Sequence, residues 1–139
     1  MTAEQPVPSR KSLRAFWLMG LLLVALVVVV CLLPARNLPG TGINDKVEHA
    51  FAFLVMALWF AGLAAKRDFV YLLLALVALG GGIEIAQGLM GLGRTADTLD
   101  LLADSVGATA GIALALTPLG RWVDVLERHV LQRLRRRPA

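Results

Sequence analysis

The sequence predicts an all-α fold, a four-helix transmembrane bundle with a C-terminal amphipathic interfacial helix. Hydrophobic residues make up 58% of the 139-residue chain and charged residues only 17%, which is far more apolar than a soluble domain requires. The apolar residues fall into four stretches that polar or helix-breaking residues separate. Each stretch is about as long as a helix needs to cross roughly 30 Å of hydrocarbon.

The first stretch covers residues 15–33 and ends at Pro34, after a polar tail over residues 1–14 that we expect to be cytoplasmic. A cleavable signal peptide is the alternative interpretation, with the basic residues of the tail as its charged region. The apolar run is long for a signal peptide and no A-x-A-like cleavage site follows it, so we favour a transmembrane helix.

Three more stretches follow a loop that proline, glycine and asparagine predict at residues 34–46. The Lys66-Arg67-Asp68 turn and the polar segment around residues 93–100 separate these stretches from one another. The transmembrane domain therefore extends over residues 15–119. Its predicted spans are residues 15–33, 47–65, 69–92 and 101–119.

Residues 120–139 form a basic tail in which an apolar residue recurs at every fourth position from Trp122 to Leu134, beside six arginines. This pattern is typical of an amphipathic helix that lies at the membrane interface. We expect its arginines to lie near anionic lipid headgroups.

The distribution of lysine and arginine predicts the orientation, because cytoplasmic loops carry the excess of basic residues. With both termini cytoplasmic, eleven basic residues lie inside and three lie outside. The eleven are Arg10, Lys11, Arg14, Lys66, Arg67, Arg121, Arg128, Arg133, Arg135, Arg136 and Arg137, and the three are Arg36, Lys46 and Arg94.

This topology places most of the membrane-associated polar residues at the outer face, where they are candidates for a binding site. Ionisable groups are costly near hydrocarbon and by default mark a functional site or a satisfied network. Several of them are one helical turn apart, so each helix presents its polar groups as one stripe. The candidates are Asp45, Lys46, His49, Glu84, Gln87, Arg94, Asp97, Asp100 and Asp104.

These residues also carry a resemblance. The segments Asp45-Lys46-x-x-His49-x-x-x-Phe53, Glu84-x-x-Gln87, Arg94-x-x-Asp97-x-x-Asp100 and Ala103 with Gly107-Ala108-x-x-Gly111 resemble the VanZ-like family of small bacterial membrane proteins, in order and spacing. The resemblance implies a multi-pass protein of the bacterial cytoplasmic membrane. It also implies a link to the cell envelope, because the founding member is associated with low-level resistance to the glycopeptide antibiotic teicoplanin. Asp104 departs from the family pattern, which commonly has asparagine there.

Small residues recur every four positions along the fourth span, at Ala103, Gly107, Gly111 and Ala115. Such a face lets helices approach closely inside a membrane, where lipid provides no hydrophobic drive for association. We interpret these residues as a packing surface. The Gly80-Gly81-Gly82 triplet has the same interpretation, with a local kink beneath Glu84 as its alternative.

Several functions fit the polar site. It could bind or modify an envelope component, such as an anionic lipid or a lipid-linked precursor held by Lys46 and Arg94. It could instead be a metal-assisted hydrolase or transferase, with His49, Glu84, Asp100 and Asp104 as candidate ligands for Mg, Mn or Zn. A proton-linked transporter using Glu84 is disfavoured because no polar path crosses the bilayer, and a purely structural polar rim is the remaining alternative.

Neither the enzyme status, the cofactor nor the oligomeric state follows from the sequence. No nucleophile motif, H-E-x-x-H motif or phosphate-binding loop is present. The net charge of +4 does not indicate nucleic-acid binding, because the basic residues lie at the chain ends and in short connections. The single cysteine, Cys31, lies inside an apolar run, so the chain has no intramolecular disulfide.

Overall fold

The computed structural model describes residues 10–34, 44–91 and 96–126, and the regular structure over these ranges is helical. The predicted all-α class is therefore confirmed. Two short 3₁₀ turns, Lys66–Asp68 and Pro118–Arg121, follow the second and the fourth helix. The helices with both ends among the described residues are α1 (Arg10–Leu32), α2 (Asp45–Ala61), α3 (Phe69–Met90) and α4 (Thr98–Ala115). A further helical segment begins at Trp122 and continues to Leu126, the last described residue.

Within residues 10–34, 44–91 and 96–126, three segments are long and apolar enough to cross a membrane, namely Ser12–Leu32, Lys66–Met90 and Thr98–Ala115. Helix α2 has 17 residues, at the lower limit of a transmembrane span, and would extend over about 26 Å at 1.5 Å per residue. The sequence predicts a longer second span over residues 47–65. Three of the four predicted spans therefore correspond to segments of the described chain that could cross a membrane, and the fourth helix ends at Ala115, before the predicted bound of 119.

Helix α2 ends at Ala61, and the residue that follows, Gly62, lies against Trp122. A Cβ atom at position 62 would collide with the indole ring of Trp122. The same indole donates a hydrogen bond from Nε1 to the carbonyl oxygen of Leu58 at 3.3 Å. The chain turns here, and the backbone N–H of Leu63 bonds the carbonyl of Phe60 at 3.0 Å. Trp122, the first apolar residue of the predicted interfacial helix, packs against the end of α2.

The other helix ends differ from the predicted bounds for local reasons. Helix α1 begins at Arg10, inside the predicted tail. Helix α3 ends at Met90 because Gly91 adopts a left-handed conformation with φ of 62°, which terminates many helices. Helix α4 begins at Thr98 because the side chain of Asp97 accepts the N–H of Leu99 at 2.8 Å and so caps the first turn. Residues 127–139, most of the predicted interfacial helix, lie outside the described residues.

Adjacent helices run in opposite directions, so α1 and α3 end where α2 and α4 begin. The side chain of Gln87 donates to the carbonyl oxygen of Cys31 at 2.8 Å and joins the ends of α3 and α1. We call this side of the bundle the polar end. At the opposite side, which we call the aromatic end, the rings of Phe16 and Trp59 each pack against Trp122.

Helices α2 and α4 are parallel and make the most extensive contact in the fold. The contact is close because glycines replace larger side chains on α4. A Cβ atom at Gly107 would collide with the backbone carbonyl of Ala50, and one at Gly111 would lie 2.5 Å from the carbonyl oxygen of Leu54. The predicted small-residue packing face of α4 is confirmed at these two positions.

The buried core lies between the helices, while the outward faces remain apolar. Phe53 and Met56 of α2 are fully buried. By contrast, Leu22 on α1 is 69% exposed and Leu89 on α3 is 83% exposed. Large exposed apolar surfaces of this kind mark contact with a membrane or a partner. The surface therefore fits a protein embedded in lipid.

We predict that Gly107→Ala destabilises the bundle by about 1–3 kcal/mol, because the added methyl group has to displace the backbone of α2. Gly81→Ala is the matched control, since no atom lies within 4 Å of a Cβ at that position. Unfolding by sodium dodecyl sulfate, followed by circular dichroism, measures the difference. Equal stability of the two variants would contradict the close α2–α4 contact.

Candidate functional site

The polar end brings together the predicted site residues that the structure describes. They come from three helices, with α2 and α4 contributing their first turns and α3 its last turns. Arg94, the other predicted cation of the site, lies outside the described residues. The described candidates are Asp45, Lys46 and His49 on α2, Glu84 and Gln87 on α3, and Asp97, Asp100 and Asp104 at or within α4.

Lys46 joins the starts of α2 and α4. Its Nζ atom lies 2.6 Å from Oδ2 of Asp97 and 2.7 Å from Oδ1 of Asp100. Asp100 is buried, whereas Lys46 and Asp97 are partly exposed. The ammonium group therefore neutralises acids from the neighbouring helix. It is already engaged in this structure, so it is a weaker candidate for gripping an anionic ligand than the sequence predicts.

Asp97 links the start of α4 to the end of α3. Its side chain caps α4 and binds Lys46, while its backbone N–H donates to Oε2 of Glu84 at 2.6 Å. The Lys46 ammonium, assisted by the N–H of Leu99, holds the pKa of the Asp97 carboxyl below its usual range. The hydrogen bond from Asp97 holds Glu84 at the polar end. Sequence spacing alone does not identify Asp97 as the partner of Glu84.

His49 and Asp104 form a buried pair between α2 and α4. Nδ1 of His49 lies 3.0 Å from Oδ1 of Asp104, and the two side chains are 4% and 0% exposed. Gly80 of α3 makes room for this pair, because a Cβ there would lie 2.7 Å from Oδ2 of Asp104. This contact supports the packing interpretation of Gly80, whereas Gly81 and Gly82 have no atom within 4 Å of their Cβ positions.

Two buried carboxylate oxygens have no hydrogen-bond partner among the described residues, Oε1 of Glu84 and Oδ2 of Asp104. Buried polar atoms are normally paired, because burial without a partner costs free energy. Each of these oxygens requires a proton, a water molecule or a cation.

Two parallel helix N-termini explain how so many acids gather at one place. The first turn of α2 contains Asp45 and Glu48, and the first turn of α4 contains Asp100 after the capping Asp97. The positive end of each helix dipole stabilises nearby carboxylates. The sequence analysis gives Lys46, Arg94 or a metal ion as partners of these acids and omits the helix dipoles, although the positions of the acids at helix starts could have indicated this contribution.

One group within the site has the composition of a metal-binding site. Asp45, His49 and Asp100 each offer a ligand atom, and these atoms lie within 4.8 Å of one another. The sequence analysis gives His49, Glu84, Asp100 and Asp104 as the candidate ligands. Only His49 and Asp100 belong both to this group and to the predicted ligands. Glu84 instead accepts the backbone N–H of Asp97, and Asp104 contacts Nδ1 of His49.

A groove of about 200 Å³ opens beside His49, between α1 and α2. One end of the groove is polar and contains Asp45, Glu48 and His49, and the rest is apolar. Sequence reasoning missed the contribution of α1, because its residues lie in a uniform apolar run with no distinguishing signal. The apolar lining consists of Leu26, Val27, Val30, Cys31, Ala52 and Phe53.

Comparison with known proteins gave one family. The model of the family described as VanZ/LLP1 matches residues 35–121, which is more than half of the chain and includes all the candidate residues. Neither curated proteins nor solved structures gave a significant match.

We predict that the Lys46–Asp97 contact stabilises the protein in a pH-dependent manner. Because the pKa of Asp97 is lowered by folding, this stabilisation is present above the ordinary aspartate pKa of about 3.9 and is lost as the pH falls through the lowered value. The melting temperature of Lys46→Gln should therefore lie below that of the wild type at pH 7, and the difference should shrink below pH 3.

Lys66→Gln is the control for this prediction, because it removes the same charge near the aromatic end. Its melting temperature should follow that of the wild type at each pH. A Lys46→Gln deficit that does not change between pH 7 and pH 3 would contradict the ion pair.

Proposed function

Since the chain belongs to the VanZ-like family of membrane proteins, we propose that it binds a lipid or lipid-linked component of the bacterial cell envelope at the polar end. The groove between α1 and α2 receives the hydrocarbon chain of this component. Its headgroup lies against Asp45, Glu48 and His49. This function fits an embedded helical protein and requires no chemical step.

The observation that carries this proposal is the continuity of the groove with the polar site. Val27, Val30 and Phe53 line the apolar part of this groove, and Asp45 and His49 line its polar part. An amphipathic molecule matches such a lining, because each part of the ligand meets surface of its own polarity. A small polar solute would leave the apolar part unused.

The charges of the site narrow the chemistry of the headgroup. Lys46 contacts Asp97 and Asp100, so the polar end of the groove presents mainly carboxylates. An amine or a hydroxyl group can bind these carboxylates directly. A phosphate-bearing headgroup requires a cation between its oxygens and the acids.

We further propose that the polar end faces outward, with α2 as a short fourth span and both termini in the cytoplasm. The excess of basic residues at the other face supports this orientation. Labelling by a membrane-impermeant thiol reagent in intact cells tests it, using Ala96→Cys and Arg67→Cys in a Cys31→Ala background. The proposal predicts labelling of the cysteine at residue 96 and not of the cysteine at residue 67. Labelling at residue 67 but not at residue 96 would show that the orientation is the opposite one.

For lipid binding, we predict that the protein purified from its own membranes in mild detergent retains a specific lipid, and that Val30→Trp reduces the amount retained at least fivefold. The indole ring fills the groove at a residue that is already 41% exposed, so folding should be preserved. Mass spectrometry of the extracted lipid measures the ratio of lipid to protein.

Leu22→Trp is the matched control, because Leu22 lies on the same helix, is exposed and does not line the groove. It should retain the wild-type amount of the same lipid. Retention of bulk membrane lipid in equal amounts by all three proteins would reject lipid binding in the groove.

A further inference from the structure

We propose that Asp45, His49 and Asp100 bind one divalent transition-metal cation, Zn²⁺ or Mn²⁺, at the polar end of the groove. We infer in addition that this cation bridges the site to a phosphate-bearing lipid headgroup, and this second part rests on the proposed function. The cation site itself stands on the geometry of the three side chains and of the residues behind them.

The three ligands come from neighbouring helix starts. Asp45 and His49 are separated by four residues on α2 and therefore project from the same face of that helix. Asp100 projects from the adjacent α4, and the three ligand atoms lie within 4.8 Å of one another. Ligands about 2.1 Å from a shared tetrahedral ion are separated by roughly 3.4 Å, so small side-chain rotations complete the site.

An independent feature lies behind His49. Oδ1 of Asp104 is 3.0 Å from Nδ1 of His49, and both groups are buried. Metal-binding histidines characteristically donate their other ring N–H to a carboxylate, which fixes the tautomer and the ring orientation. The contact with Asp104 leaves Nε2 as the nitrogen that binds the cation. Asp104 is accordingly a positioning residue.

The charge balance of the site also favours a cation. Lys46 contacts two carboxylates, those of Asp97 and Asp100, and Asp45 adds a third acid from the first turn of α2. Lys46 contacts Asp100 only at Oδ1, so we expect the other oxygen of this carboxylate to face the cation. A divalent ion beside these acids offsets negative charge that the ammonium group of Lys46 does not balance.

The ligand types select the class of cation and its further partner. One imidazole with two carboxylates suits Zn²⁺ and Mn²⁺ better than Ca²⁺ or Mg²⁺, which prefer oxygen ligands alone. Three protein ligands leave at least one coordination position open. A phosphate oxygen of a lipid in the groove can occupy that position, which explains how an acidic site accepts an anionic headgroup.

Calorimetric titration with Zn²⁺ tests the cation site on the full-length, tag-free protein in detergent after treatment with a chelator. We expect one saturable site per chain. Asp45→Asn should weaken the affinity at least tenfold, because it replaces a carboxylate ligand at an exposed position where folding is little affected. Asp104→Asn should weaken it about tenfold while leaving the circular dichroism spectrum unchanged.

Asp68→Asn is the matched control, since it removes one negative charge from the start of another helix, at a partly exposed position outside the site and without removing a ligand. Its Zn²⁺ affinity should stay within about twofold of the wild type. The absence of saturable binding, or equal weakening by Asp45→Asn and Asp68→Asn, would overturn the cation site.

The lipid bridge is tested by adding Mn²⁺ to vesicles that contain a phosphatidylglycerol spin-labelled at its headgroup, with the folded protein inserted. Protein-dependent broadening of the label signal that Asp45→Asn abolishes supports the bridge. Saturable Zn²⁺ binding without such broadening would reject the bridge and retain the cation site. Retention of lipid by the wild type without Zn²⁺ binding would reject the cation site and leave the proposed function intact.

Discussion

The close parallel contact between α2 and α4 is the constraint on which the polar end depends. Gly107 and Gly111 let the backbone of α4 approach the carbonyls of Ala50 and Leu54 on α2. With the helices held at this separation, the short side chains of His49 and Asp104 can meet at 3.0 Å. A larger residue at either glycine would move the two helix starts apart and separate the partners. Packing in the middle of the bundle thus determines the chemistry at its end.

The electrostatics of the polar end follow from the same contact. Placing two helix N-termini side by side adds their positive dipole ends, which stabilise the acids of both first turns. Lys46 provides a full positive charge between Asp97 and Asp100. These groups account for the partly exposed acids, but not for the inner oxygens of Glu84 and Asp104, which have no hydrogen-bond partner among the described residues. Oδ2 of Asp104 faces Gly80 of α3, and Glu84 also belongs to α3, so this remaining demand for positive charge lies between α3 and α4.

The sequence predicted those features of the fold and the site that depend on residues within a single helix. Apolar length predicted the helices, and the four-residue spacing predicted that Asp45 and His49 share a face. The alternation of helix direction predicted that these residues lie near Asp100. The individual partners could not be predicted, because register between helices depends on side-chain packing. The pairing of Lys46 with Asp97 and the space that Gly80 leaves for Asp104 are examples. The contact of Trp122 with Leu58 near the end of α2 is another example, because these residues are distant in sequence.

The central claim is that α2 and α4 hold His49 and Asp104 in direct contact at the polar end. A double-mutant cycle measures this contact, using the unfolding free energies of His49→Ala, Asp104→Ala and the double variant in detergent. Residues in contact show coupling energies of about 0.5–3 kcal/mol, whereas distant residues are additive to within roughly 0.3–0.5 kcal/mol. The structure predicts a stabilising coupling above about 1 kcal/mol for this buried pair. Additive effects of the two substitutions would contradict the contact and, with it, the architecture of the polar end.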